Sequence, residues 1–120
     1  MSEQLTHNFS LDEFRCKCCG QVNTPAATRL ARELQKVRDE YGVMRIISSF
    51  RCQHQNDLVG GKMFSQHLVG LAADIACNDD VSRRHLLMLL LGYQFPRIGI
   101  SQNFIHADIG TITGPLIWVY

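Results

Sequence analysis

The residue pattern predicts an α+β domain: a small, mainly antiparallel sheet with two main helices packed on it. Three observations predict it. Residues 24–41 repeat apolar side chains at intervals of three and four, as a helix with one buried stripe does. Short β-branched runs elsewhere are bounded by glycines and polar clusters, as strands are. The order of these segments is α-β-loop-β-α-β-β-β, which belongs to an α+β architecture. All 120 residues fit one domain with one modest core. Residues 1–23 are expected to pack on it as an N-terminal, cysteine-containing segment.

Taken in order, Ser10 with Glu13 three residues later forms a capping box for a single helical turn among Phe9, Leu11 and Phe14. Cys16-Lys17-Cys18-Cys19-Gly20 follows. Such a cluster suggests a zinc knuckle, yet no matching Cys or His pair follows at knuckle spacing. Cys16 and Cys18 also stand too close for the usual C-x2-C grip, so buried or free thiols are the plainer expectation. Thr24 can cap the long helix, Pro25 suits its first position and Gly42 stops it after Tyr41. Its stripe is Ala27, Leu30, Ala31, Leu34, Val37 and Tyr41.

Residues 43–50, with Val43, Ile46 and Ile47, read as a strand that delivers Ser48, Ser49 and Arg51 to its carboxyl end. Residues 53–64 are polar and contain Gly60-Gly61, which reads as a loop, and loops of that length are more often functional than filler. After His67 and a turn at Gly70, residues 71–76 form a strand. Ala72, Asp74 and Ala76 then share one face, and Leu71, Ala73 and Ile75 the other. A second helix runs from Asp80 or Ser82 to Leu91 and ends at Gly92. Its unbroken apolar run, 86–91, predicts burial on more than one side. Residues 97–101 and 103–109 are short strands joined through Gln102-Asn103, and 116–120 is a last strand after Gly114-Pro115. Along the second of these, Phe104, His106 and Asp108 project to one side.

Composition narrows the function classes. Apolar residues at 46% and charged residues at 19% are ordinary for a globular chain. A formal net charge of +1 gives no electrostatic case for nucleic acid or an anionic membrane as partner. The first ten residues are polar and hold no apolar signal segment, and the run 86–91 is far too short to span a bilayer. Synthesis in the cytoplasm is the expectation. Five cysteines cannot all pair within one chain, which fits a reducing compartment of synthesis. Cys52 and Cys77 stand apart from the cluster and are expected to pack.

The chemistry lies in two histidines and two aspartates set in apolar strands. An aspartate in Ala-Ala-Asp74-Ile-Ala costs several kcal/mol if buried unpaired, so it calls for a cation. Asp108, in Ile-His106-Ala-Asp108-Ile, poses the same problem. His67 lies seven positions before Asp74, just ahead of a glycine. His7, His54 and His85 have no such company and read as surface or core histidines. Two imidazoles and one carboxylate make a three-ligand zinc site that leaves a fourth position for water, the pattern of a catalytic zinc.

Ser48-x-x-Arg51-Cys52, Asn56, Gly60-Gly61, Ser65-x-His67-x-x-Gly70-x-Ala72-x-Asp74-Ile75 and Phe104-Ile105-His106-x-Asp108-x-Gly110, with Trp118 close behind, resemble the zinc D-alanyl-D-alanine carboxypeptidase family. More narrowly, the chain is similar to its small phage endolysin and murein-peptidase branch. The resemblance covers roughly residues 8 to 120. It implies one catalytic zinc on His67, Asp74 and His106, at one face of the sheet, with Arg51 and Ser65 lining the substrate site. It implies hydrolysis of a peptide bond in peptidoglycan stem peptides, by D-Ala-D-Ala carboxypeptidase or endolysin-type endopeptidase action. An endolysin of this kind waits in the cytoplasm and reaches the cell wall after phage-type permeabilisation of the membrane. Arg51 would hold a substrate carboxylate or share oxyanion charge.

The general base departs from the family pattern. Some relatives carry Glu or Asp three positions before the last zinc histidine, where this chain has Asn103. Others carry a histidine two positions before it, where this chain has Phe104. Asp108 remains, either as general base or as the group that fixes the His106 ring. The departure at Asn103 keeps a second expectation open, a non-catalytic zinc-containing module that binds wall peptides or a protein partner. Trp118 and Tyr120 are expected in the core, with the wall of a substrate groove as the alternative.

Overall fold

The computed structural model describes residues 3–111 and 113–120. Helix α1 (Thr24–Tyr41) is followed by β1 (Ile46–Ser48), α2 (Gln53–Leu58), β2 (Ala72–Ala76), α3 (Asp80–Gly92), β3 (Arg97–Ile100), β4 (Phe104–Asp108) and β5 (Leu116–Val119). Two 3-10 turns, Leu11–Phe14 and Gln66–Val69, flank α1 and β2 respectively. The strands form one sheet in the order β1-β2-β4-β3-β5. Every pairing is antiparallel except β3 with β5, which is parallel. The expected α+β class and mainly antiparallel sheet are what the chain adopts.

Pleating divides the sheet into two chemically different faces. Ala73, Ile75, Ile98, Ile105 and Ala107 point to one side and join a core with Leu30, Leu34 and Val37 of α1 and Leu86 and Leu90 of α3. Phe9, Leu11 and Phe14 complete that core from the N-terminal segment. The Glu13 carboxylate accepts the Ser10 N–H at 2.8 Å, the capping box read from the sequence. Asp74, Gly99, Phe104, His106 and Trp118 occupy the opposite face of the sheet, or its rim.

Several boundaries differ from expectation for identifiable reasons. Asn23, not Thr24, caps α1, its side chain accepting the Ala26 N–H at 3.3 Å. Strand β1 is three residues rather than eight, because Val43 is 87% exposed and pairs with no strand among the described residues. Residues 53–64 are not all loop. Gln53–Leu58 form α2, in which Asn56 is the one buried residue, so no apolar stripe announces it. Burial of α3 on more than one side is also corrected. Leu86 and Leu90 are fully buried, but Met88 and Leu91 are about half exposed, because α3 lies on the outer layer and meets the core along one stripe.

Candidate metal centre

His67 sits on the 3-10 turn Gln66–Val69, which begins at Ser65 and ends at Gly70. Gly70 adopts φ +80°, a left-handed conformation that glycine takes without strain. The Ser65 hydroxyl oxygen accepts the His67 N–H at 3.2 Å, and the Asn23 side chain grips the turn by donating to the Val69 carbonyl at 3.0 Å. Asp74 and His106 are direct cross-strand partners on β2 and β4. That register brings two residues far apart in sequence onto one face, side by side. His67 leans over them from the turn.

The three side chains meet in a nearly equilateral triangle. His67 Nε2 lies 3.2 Å from His106 Nδ1 and 3.3 Å from Asp74 Oδ1, and His106 Nδ1 lies 3.2 Å from the same oxygen. The remaining ring nitrogens are committed elsewhere. His67 Nδ1–H donates to the Ser49 carbonyl at 2.6 Å, and His106 Nε2–H donates to Asp108 Oδ2 at 2.6 Å. Both inward nitrogens therefore present lone pairs to each other and to a carboxylate. Such a grouping is repulsive unless a positive charge occupies its centre.

The electrostatics agree. Burial disfavours the Asp74 carboxylate, but His106 and His67 beside it prevail and hold it well below the ordinary carboxylate range. Burial likewise opposes charge on His106, but Asp108 and Asp74 on either side overcome it and raise its pKa. A proton or a metal cation can supply what the site attracts. For bonds of 2.0–2.1 Å, a tetrahedral zinc ion spaces its ligand atoms roughly 3.3–3.4 Å apart. His67, Asp74 and His106 can therefore hold zinc with little adjustment.

Asp108 is fully buried, and both its oxygens are engaged. Oδ2 accepts from His106, while Oδ1 accepts the Gly110 N–H at 3.0 Å and pairs with Arg97 Nε at 3.0 Å. The sequence pattern assigns Arg97 no role and places Ser49 only at the end of a strand. Arg97 stands opposite Asp108 in the β3–β4 register, which only strand pairing reveals. Ser49 acts through its carbonyl, and a main-chain acceptor leaves no mark in the residue pattern.

The triangle opens into a cavity of about 1080 Å³. Arg51 lines it, its Nη1 donating to Asn56 Oδ1 at 3.0 Å, and Asn56 Nδ2 donates in turn to the Lys62 carbonyl at 3.0 Å. The buried Arg51 Nε has no hydrogen-bond partner among the described residues. Ser65, Lys62, Trp118 and Tyr120 also line the cavity. Trp118 and Tyr120 are thus cavity wall, not core, because β5 is an edge strand. The Trp118 ring lies 4.9 Å from that of His106, centroid to centroid. Gly99, between them in the register, permits this, since a β-carbon there would collide with the indole.

Among the described residues no helix is long and apolar enough to cross a membrane. No curated protein matches the chain. The family model described as peptidase M15 matches residues 7–108, a span that holds the triangle, Arg51, Ser65 and Asp108. The chain therefore belongs to the peptidase M15 family, the zinc metallopeptidases of D-alanyl-D-alanine carboxypeptidase type.

Proposed function

We propose that this protein hydrolyses a peptide bond in the stem peptides of peptidoglycan, with one zinc ion held by His67, Asp74 and His106. The observation that carries the reading is the triangle of ligand atoms, 3.2–3.3 Å on a side with lone pairs turned inward. Zinc bound there supplies Lewis-acid polarisation of a scissile carbonyl and an acidified water. The Ser49 carbonyl and the Asp108 carboxylate fix the tautomers, so that His67 offers Nε2 and His106 offers Nδ1. With both oxygens engaged, Asp108 orients His106 rather than taking a proton from water.

Arg51 is the group that binds substrate charge, either a carboxylate of the stem peptide or the developing oxyanion. Asn56 aims it. Ser65 accepts from the His67 N–H, which leaves its own O–H to donate to the peptide backbone. Four cationic side chains, Lys17, Arg51, Lys62 and Arg97, line the cavity against two carboxylates. A peptide rich in carboxylates suits that balance.

The test is mass spectrometry of products from defined stem peptides incubated with the zinc-loaded protein. One new cleavage is expected, lost with chelator and with His67→Ala. Intact peptides under every zinc condition would overturn the hydrolase reading. One observation favours a second reading, a non-catalytic wall-binding module. Asp74 and Asp108 are the carboxylates among the described cavity residues, and neither is free to act as a base. On that reading the zinc-loaded protein co-sediments with purified peptidoglycan and yields no new mass.

A further inference from the structure

Outside the cavity centre, four cysteines from two distant segments converge. Cys16, Cys18 and Cys19 come from the N-terminal segment, and Cys52 from the residue that caps α2. Their sulfurs all lie within 4.8 Å of one another. Cys52 Sγ is 3.4 Å from Cys18 Sγ and 3.6 Å from Cys16 Sγ. None of these is a disulfide, whose sulfurs stand about 2.05 Å apart, and all are free thiols. A tetrahedral zinc with bonds of about 2.3 Å to sulfur spaces its ligands roughly 3.8 Å apart. The sequence pattern offered three thiols without a fourth. The fold supplies the fourth, and Cys16 and Cys19 themselves stand at the C-x2-C interval. We propose that Cys16, Cys18, Cys19 and Cys52 form a second, structural zinc site with four thiolate ligands.

The surroundings of the sulfurs suit bound thiolates. The Cys52 N–H points to Cys16 Sγ at 3.4 Å, and the Gln55 N–H points to Cys52 Sγ at 3.4 Å. N–H groups of Cys18 and Cys19 also turn toward Cys16. Amide donors of this kind hold metal-bound sulfur in place and offset its charge. The chain between them is a tight turn, with the Gly20 N–H on the Cys16 carbonyl at 2.9 Å and the Cys16 N–H on the Gln21 carbonyl at 2.8 Å.

A divalent ion among four sulfurs this close offsets their mutual repulsion, and each ligand binds as its thiolate.

The site also has a structural task. Cys52 directly follows Arg51 and precedes α2, which carries Asn56. A zinc bridge from Cys52 to residues 16–19 clamps the N-terminal segment to the cavity wall that aims Arg51. The task stands whether or not the protein cleaves peptides.

Metal content tests it. The full chain is purified under reducing conditions and measured by native mass spectrometry and elemental analysis. Two zinc ions per chain are expected, and one in the double variant His67→Ala, His106→Ala. That remaining ion is expected to leave when the thiols are modified with a mercurial. Replacing it with cobalt in the same variant should give intense near-ultraviolet sulfur-to-cobalt absorption, which a nitrogen and oxygen site cannot give. Cys18→Ser, Cys52→Ser should hold one zinc, and Cys77→Ser two. A wild-type protein with a single zinc that vanishes in the double histidine variant overturns the proposal. So does a wild type in which Cys16, Cys18, Cys19 and Cys52 all react at once with a disulfide reagent. Both rest on wild-type or histidine-variant protein and stand even if the cysteine variants do not fold.

Discussion

Asp108 lies at the crossing of three demands: the His106 ring, the Arg97 guanidinium and the Gly110 amide all converge on one buried carboxylate. Its removal should therefore show in two measurements at once. Asp108→Ala frees the His106 ring and should weaken zinc binding about 10–100-fold, read by competition with a chelating indicator. It also takes from Arg97 its one carboxylate among the described residues, leaving Thr113 as hydrogen-bond partner, which should cost about 3–5 kcal/mol in urea denaturation. Asp108→Asn keeps an acceptor for His106 and should lose less of both. Unchanged zinc affinity in Asp108→Ala would show that the ring holds its orientation without help. The three side chains of the candidate metal centre were legible in the sequence because a charged or imidazole residue inside an apolar run must be answered for energetically. Arg97 was not, because its meaning lies in the residue opposite.

Among the elements, α2 and α3 show where periodicity is informative and where it misleads. Helix α2 is polar and short, and Cys52 and Asn56 hold it rather than a stripe, so its pattern reads as loop. The run of leucines in α3 overstates burial, since a helix laid on one face of a sheet needs only one stripe. Leu90→Ala should accordingly cost about 2–5 kcal/mol, as a fully buried side chain does. Met88→Ala, at an exposed position, should stay within about 0.5 kcal/mol. Equal losses, measured by chemical denaturation, would restore the expectation of all-round burial. On β3, Gly99→Ala should push the Trp118 indole off His106. Its expected signature is a shifted tryptophan fluorescence and a raised KM for stem peptides, with zinc content unchanged. Unaltered fluorescence would show that β5 can shift to accept the methyl.

For the whole molecule, zinc bound at the proposed site would link the metal to the fold thermodynamically. An ion that binds the native chain at a hundred times its Kd adds about 2.7 kcal/mol to stability. Chelator should lower the thermal midpoint and stop product formation together, and added zinc should restore both. A midpoint indifferent to chelator would mean that the chain folds without metal and binds it weakly. The fold class was readable because segment order and strand lengths limit the possible sheets. The parallel placement of β5 was not, since a closing strand can join either edge in either direction without changing the pattern that encodes it.

The Asp74–His106 register on β2 and β4 has a consequence for how an ion enters. Those two donors are set by the inner ladder of the sheet, which stays closed while the chain is folded. The third donor rides on a four-residue turn held by a few hydrogen bonds. On the proposed zinc site, a metal would therefore arrive at a half-finished cup and leave by the same side. In hydrogen–deuterium exchange over minutes, amides of β2 and β4 should stay protected with and without zinc, while those of 66–69 should become protected only when it is bound.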